Sequence, residues 1–172
     1  MEKKKISKIS RVLSIYYLLL RCDEVSWTEL ASLTTCKKTI QRDITLIRHA
    51  GGQVRFRKTK ELHGYVMDPK ELADPVPTEN QAQQRLIQKL RRLFIFLPYL
   101  DDEEDCDVCY RELFPNVSKR TMQRDFAELN KLGFNIHFER ELDMLGYEPG
   151  EPHPKGRYIN DYLGTYGLST LE

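Results

Sequence analysis

Two passages of this chain align without a gap. KKTIQRDITLIRHAGGQVRF (37–56) and KRTMQRDFAELNKLGFNIHF (119–138) place Thr39 on Thr121 and Gln41-Arg42-Asp43 on Gln123-Arg124-Asp125. Gly51 falls on Gly133 and Phe56 on Phe138. A passage repeated with the same apolar spacing and the same glycine stop is a repeated structural unit. The 172 residues then divide into two small units of roughly 70–80 residues, each with a lean core.

The elements around the first copy follow from periodicity. Ile9, Val12, Leu13, Tyr16, Leu19 and Leu20 stand at helical spacing over 9–20, which predicts an amphipathic helix. SWTELASL predicts a short helix with Ser26 as N-cap and Glu29 completing a capping box. The repeated passage predicts a longer helix over about 36–49, with Ile40, Ile44 and Ile47 on one face and Gly51-Gly52 as its stop. QVRFRK alternates as a strand does, TKELHG is a turn and YVM a return strand. Helix, short helix, turn, helix and hairpin make a helix-turn-helix with a wing.

The order then recurs. Residues 70–84, within a proline-rich polar stretch, read as a linker. RLIQKLRRLFIFLPYL predicts a helix ending near Pro98, DDEEDCD an acidic loop or helix start, and VCYRELF a short helix. Ser118 is the expected N-cap of the second copy, where Met122, Phe126 and Leu129 repeat the spacing of Ile40, Ile44 and Ile47. FNIHFER reads as a strand, ELDMLGYEPGEPHPKG as a long wing tip and RYIND as its return. The expected fold is mainly α with small β wings, a tandem winged helix-turn-helix: first unit 1–69, linker 70–84, second unit with long wing and tail 85–172.

A helix that buries one face must show the other to something. At 100° per residue Lys38, Arg42, Thr45 and His49 point away from the isoleucines, with Gln41 and Arg48 at the boundary. In the second copy Arg120, Arg124, Ala127 and Lys131 point outward, with Gln123 at the edge. Arg and Gln suit guanine and adenine edges, Lys and Thr suit phosphates, and a helix fits the major groove. Outward charges are usually only solvated; their place on the second helix of a helix-turn-helix, twice over, favours DNA. Arg55, Arg57, Lys58 and Lys60 add positive charge on the hairpin. Lys3, Lys4, Lys5 and Lys8 form either an arm on phosphates or a solubilising tail. Asp43 and Asp125 lie at the core boundary, one turn after Thr39 and Thr121, so a structural role is expected for them. Leu46 is expected to point outward, toward a thymine methyl or a protein.

Net charge separates the copies. Residues 1–75 hold 15 Lys and Arg against 9 Asp and Glu, a net of +6; the remainder holds 12 against 17, a net of −5. The first unit is therefore the expected main reader. The second either binds a second site weakly or serves a homodimer contact or a protein partner.

ELASLTTCKKTIQRDITLIRHAGGQVRFRKTKELHGYVMDP resembles the winged helix-turn-helix of DeoR-type bacterial regulators and of the regulators that carry a WYL domain. Glu29-Leu30-Ala31, Thr39-Ile40, Arg42-Asp43, Gly51 and Gly64-Tyr65 carry the likeness, and Thr121, Arg124-Asp125, Leu129 and Gly133 carry it more weakly. The resemblance implies DNA binding with the second helix in the major groove, through Lys37, Lys38, Gln41 and Arg42. The DNA-facing set extends to Thr45, Arg48, the four hairpin cations, and Lys119, Arg120, Gln123 and Arg124. Cys36 stands where such regulators usually have Ser, and the ligand-sensing domain they usually continue into has no counterpart here, so no effector pocket is expected.

Other classes fit less well. Cys106 and Cys109 form a lone Cys-x-x-Cys without a second close Cys/His pair, so no metal or cofactor is expected. Phosphate loops and nucleophile–base patterns are not found, and an enzyme is not expected. Lys3 to Leu20 mimic a signal peptide, but Arg11 interrupts the apolar approach and no cleavage site follows. A cytoplasmic location without a membrane span is expected. The function expected is a sequence-specific double-stranded DNA-binding protein, most plausibly a transcriptional regulator. The rivals are a plasmid or mobile-element replication or partition factor, and a winged-helix protein-interaction module.

Overall fold

The computed structural model of the chain describes residues 6–34, 36–101, 106–139 and 146–150. It is mainly helical with small antiparallel sheets. The chain forms two compact units, Met1–Ile95 and Phe96–Glu172.

The first unit opens with α1 (Lys8–Arg21), capped by the Ser7 hydroxyl, which accepts from the Ser10 amide. Its apolar stripe, Val12, Leu13, Ile15, Tyr16 and Leu19, is fully buried. Strand β1 (Val25–Ser26) follows, then α2 (Trp27–Ala31), whose capping box joins Ser26 and Glu29 in both directions. Helix α3 (Lys37–His49) buries Ile40, Asp43, Ile44, Leu46 and Ile47. Gly51 ends it at φ +102°, backbone that a β-carbon would strain.

Strands β2 (Val54–Lys58) and β3 (His63–Met67) form the hairpin, and the sheet order is β1-β3-β2. β1 pairs Val25 with Tyr65 and Ser26 with Gly64. A β-carbon at Gly64 would overlap the Val25 carbonyl oxygen, so glycine is needed for β1 to approach. Neither β1 nor this demand is visible in the periodicity of CDEVS. Leu46 also departs from expectation: it is buried. It lies about 120° from the Ile40 direction, on the flank it shares with Asp43. Because α3 packs against both α1 and β2, its buried arc is wider than one apolar stripe.

The segment after β3 is bound to its unit rather than free. The Ala73 amide donates to the Gly51 carbonyl at 2.8 Å and the Val76 amide to the His49 carbonyl at 2.9 Å. Lys70 Nζ donates to the carbonyls of Leu19 and Cys22, at 2.6 and 2.8 Å, closing the C-terminus of α1. Helix α4 (Gln81–Phe96) returns along the same unit. Arg91 donates to the carbonyls of Ala50 and Ala73 at 2.7 and 2.6 Å, and Phe94 stacks on Tyr16 with centroids 3.8 Å apart. The boundary between the units therefore falls at Ile95/Phe96, later than the linker at 70–84 and the start at 85 read from proline content. Proline and polar composition mark an irregular segment, whereas the hydrogen bonds decide which unit owns it.

In the second unit a short 3-10 helix (Leu97–Asp101) leads toward α5 (Cys106–Leu113). Helix α6 (Lys119–Lys131) starts at the Ser118 cap, whose hydroxyl accepts from the Thr121 amide, and stops before Gly133 at φ +107°. Phe96, Tyr110 and Phe126 form an aromatic core with ring centroids 5.3 to 5.5 Å apart. β4 (Asn135–Glu139) pairs with β5 (Gly146–Gly150), Phe138 opposite Tyr147 and Ile136 opposite Pro149. Residues 146–150 were expected in a wing tip because of their glycine and proline. Among the described residues the sheet has two strands, so the outer side of β5 asks no amide partner of a proline. The expected return strand at 157–161 and the lysines at 3–5 lie outside the described residues.

Candidate nucleic-acid interface

The exposed side of α3 follows from what the helix buries. With Ile40, Asp43, Ile44, Leu46 and Ile47 facing inward, Lys37, Lys38, Gln41, Arg42, Thr45 and Arg48 are all exposed. The rotation of the helix is held by a polar pair as well as by packing. Arg11 on α1 grips both carboxylate oxygens of Asp43: Nε donates to Oδ2, and Nη2 to Oδ1 at 3.0 Å. Asp43 is 1% exposed and the Arg11 side chain 16%, so the pair is largely desolvated and its bidentate geometry is specific. Asp43 thus finds its partner across 32 residues of sequence, on another helix.

Further contacts fix the ends of α3. Lys37 Nζ lies 5.7 Å from the Trp27 ring centroid, a cation–π contact with α2. Arg48 Nε donates to the Val54 carbonyl at 2.9 Å, tying the last turn to the start of β2. Arg48 is thus a brace between helix and hairpin as well as an exposed cation. His49 Nδ1 meets Gln83 Nε2 at 3.3 Å. The Thr45 hydroxyl donates back to the Gln41 carbonyl at 2.8 Å. Cys36 precedes the helix, exposed, and hydrogen bonding by Thr39 holds its thiol below the ordinary value.

On the hairpin, strand alternation puts Arg55 and Arg57 on one face and Val54, Phe56 and Lys58 on the other. Arg57 pairs with Glu24 at 3.0 Å and Arg55 with Asp68 at 3.6 Å. All four partners are well exposed, so these ion pairs are weak and yield readily to a polyanion. Lys58 and Lys60 are exposed near the tip. Phe56 is 46% exposed and packs edge-on against His63 and Tyr65. The alternation predicted its face but not that the strand carries it past the edge of the core.

The second unit repeats this construction at a constant offset of 82 residues, from Asp43 to Asp125. Lys119, Arg120, Gln123 and Arg124 are exposed on α6, while Met122, Asp125, Phe126 and Leu129 are buried. Asp125 accepts from the Tyr110 hydroxyl at 2.6 Å. Where Arg48 braces Val54, Asn130 braces Ile136: its amide nitrogen donates to the Ile136 carbonyl at 2.9 Å, and its oxygen accepts from the Ile136 amide at 2.8 Å. Sequence reasoning assigns no structural role to Arg11, Tyr110 or Asn130. The available signal was an acidic residue at the edge of an apolar stripe, which requires a donor from elsewhere once it is buried.

Cys106 and Cys109 are buried, and among the described residues no cluster of His, Cys, Asp or Glu could hold a metal ion. Among them, too, no helix is long and apolar enough to cross a membrane. No protein-family model, curated protein or solved structure gives a significant match to the chain.

Proposed function

We propose that this chain is a sequence-specific double-stranded DNA-binding protein, a transcriptional regulator built from two winged helix-turn-helix units of the DeoR-like kind. Helix α3 enters the major groove and the β2–β3 hairpin acts as its wing. The observation that carries this reading is the exposed row Lys37, Lys38, Gln41 and Arg42 on a helix whose rotation is held by the Arg11–Asp43 pair. An α-helix with its side chains fits a groove about 12 Å wide. Gln41 and Arg42 have the donors that read adenine and guanine, and the lysines and hairpin cations meet phosphates. The excess of acid in the second half of the sequence favours a weaker DNA contact there, or a protein contact alongside it.

The test is affinity for duplex DNA as a function of salt. Six to eight phosphate contacts give a log–log slope of about −5 to −7. A flat response, or no duplex binding at low salt, would leave the protein-interaction reading in its place.

A further inference from the structure

We infer that α3 and α6 read the same short base sequence, so that the preferred duplex carries one core motif twice; this rests on the DNA-binding reading above. The two passages correspond in structure as well as in sequence. Each helix is 13 residues long and is followed by a glycine of nearly equal φ, +102° at Gly51 and +107° at Gly133, although the Ser118 hydroxyl caps α6 and Cys36 makes no such bond to α3. Each buries its apolar residues and its aspartate at matching positions: Ile40 and Met122, Asp43 and Asp125, Ile47 and Leu129. Each is braced to its own first strand from the same position, by Arg48 and by Asn130. The partners differ in chemistry, since Asp43 meets an arginine and Asp125 a tyrosine. Both pairs hold the aspartate side of the helix inward, although α3 also buries Leu46 where α6 has the half-buried Glu128.

Equal length and matching buried positions put equivalent residues on the exposed side of each helix. Lys38 and Arg120, Gln41 and Gln123, and Arg42 and Arg124 are all exposed. The Gln–Arg pair, which distinguishes adenine and guanine from other bases, is therefore presented twice in one geometry. Position 45 differs in name more than in chemistry. The Thr45 hydroxyl is committed to the Gln41 carbonyl, leaving a methyl group for a base to meet, and Ala127 offers a methyl group too. Both suit a thymine methyl. What differs is charge: the first unit adds the hairpin cations and the second half of the chain is acidic, which alters affinity without altering which bases fit.

The experiment is selection of duplexes from a randomised pool by the full chain. It is followed by the same selection with Arg42→Ala and with Arg124→Ala, each first shown to be folded by circular dichroism. The wild-type chain is expected to enrich duplexes bearing one core twice. Arg42→Ala should relax preference at one guanine of one copy by about 5- to 150-fold, and Arg124→Ala should relax the equivalent guanine of the other copy by a smaller factor. Salt-dependent duplex binding with a single core, or with two unrelated cores, would overturn the inference and leave the DNA-binding reading standing. Absence of duplex enrichment at low salt would overturn both.

Discussion

Arg11→Met tests how α3 is held. The substitution keeps much of the side-chain length and removes the guanidinium, leaving the Asp43 carboxylate at 1% exposure. Two routes give its cost. Removing one partner of a buried ion pair typically destabilises by about 3–5 kcal/mol. Coulomb's law at 4 Å and an effective dielectric of about 20 gives roughly 4 kcal/mol. Because Arg11 keeps 16% exposure, the lower end, about 3 kcal/mol, is expected. Asp43→Asn should cost less, about 1.5–3 kcal/mol for weakened charge-assisted bonds, since the arginine left behind can lean toward water. The double variant should cost less than the two singles summed, because it leaves no buried carboxylate without a partner. Arg42→Met, exposed on the same helix, should stay within about 0.5 kcal/mol. Urea unfolding followed by Trp27 fluorescence is suited to the question. Trp27 is the chain's one tryptophan and lies in the first unit, edge-on to Tyr65. A loss below about 1 kcal/mol for Arg11→Met would refute the claim that this pair helps hold α3 on its unit, as would a larger loss for Asp43→Asn.

Three further outcomes follow from the same geometry. Gly64→Ala should destabilise the first unit by at least about 2 kcal/mol in the same urea assay, because the added carbon meets the Val25 carbonyl and must separate β1 from β3. Tyr110→Phe removes the 2.6 Å bond to buried Asp125 and should cost about 1–3 kcal/mol, read as faster hydrogen exchange of the α6 amides with α3 amides unchanged. On a specific duplex, Arg42→Ala should lose about 1–3 kcal/mol of binding and Arg124→Ala clearly less, measured by fluorescence anisotropy.

The sequence made local features legible and left long-range ones hidden. The Ser26–Glu29 capping box, the phase of Ile40, Ile44 and Ile47, and the glycine stops at 51 and 133 are set by residues within one turn or two of each other. Each stands where periodicity and turn chemistry put it. The partner of Asp43 lies 32 residues away on another helix, and nothing in the spacing of α3 names it. In the sequence Arg11 is only an interruption of an apolar stretch, which is what a half-buried ion-pair donor looks like before its partner is known. Leu46 departs from its expected outward position because α3 packs on two sides and a single apolar stripe does not describe it. The 70–84 segment was read from composition as a tether, yet its backbone and Arg91 close the C-terminal end of α3. Among the proposed DNA contacts, the exposed row on α3 was legible because it is the complement of the apolar stripe. The bracing role of Arg48 was not, because its acceptor is a backbone carbonyl.

The central claim is that the exposed face of α3 meets duplex DNA. An amide and side-chain NMR titration of the full chain with a selected duplex reads that face directly. Shifts should concentrate at Lys37, Lys38, Gln41, Arg42 and Thr45, with a second set on the hairpin from Arg55 to Lys60, and buried Val12 and Leu13 of α1 should move little. Saturable binding with those positions unmoved, and the shifts gathered on another surface, would contradict the account.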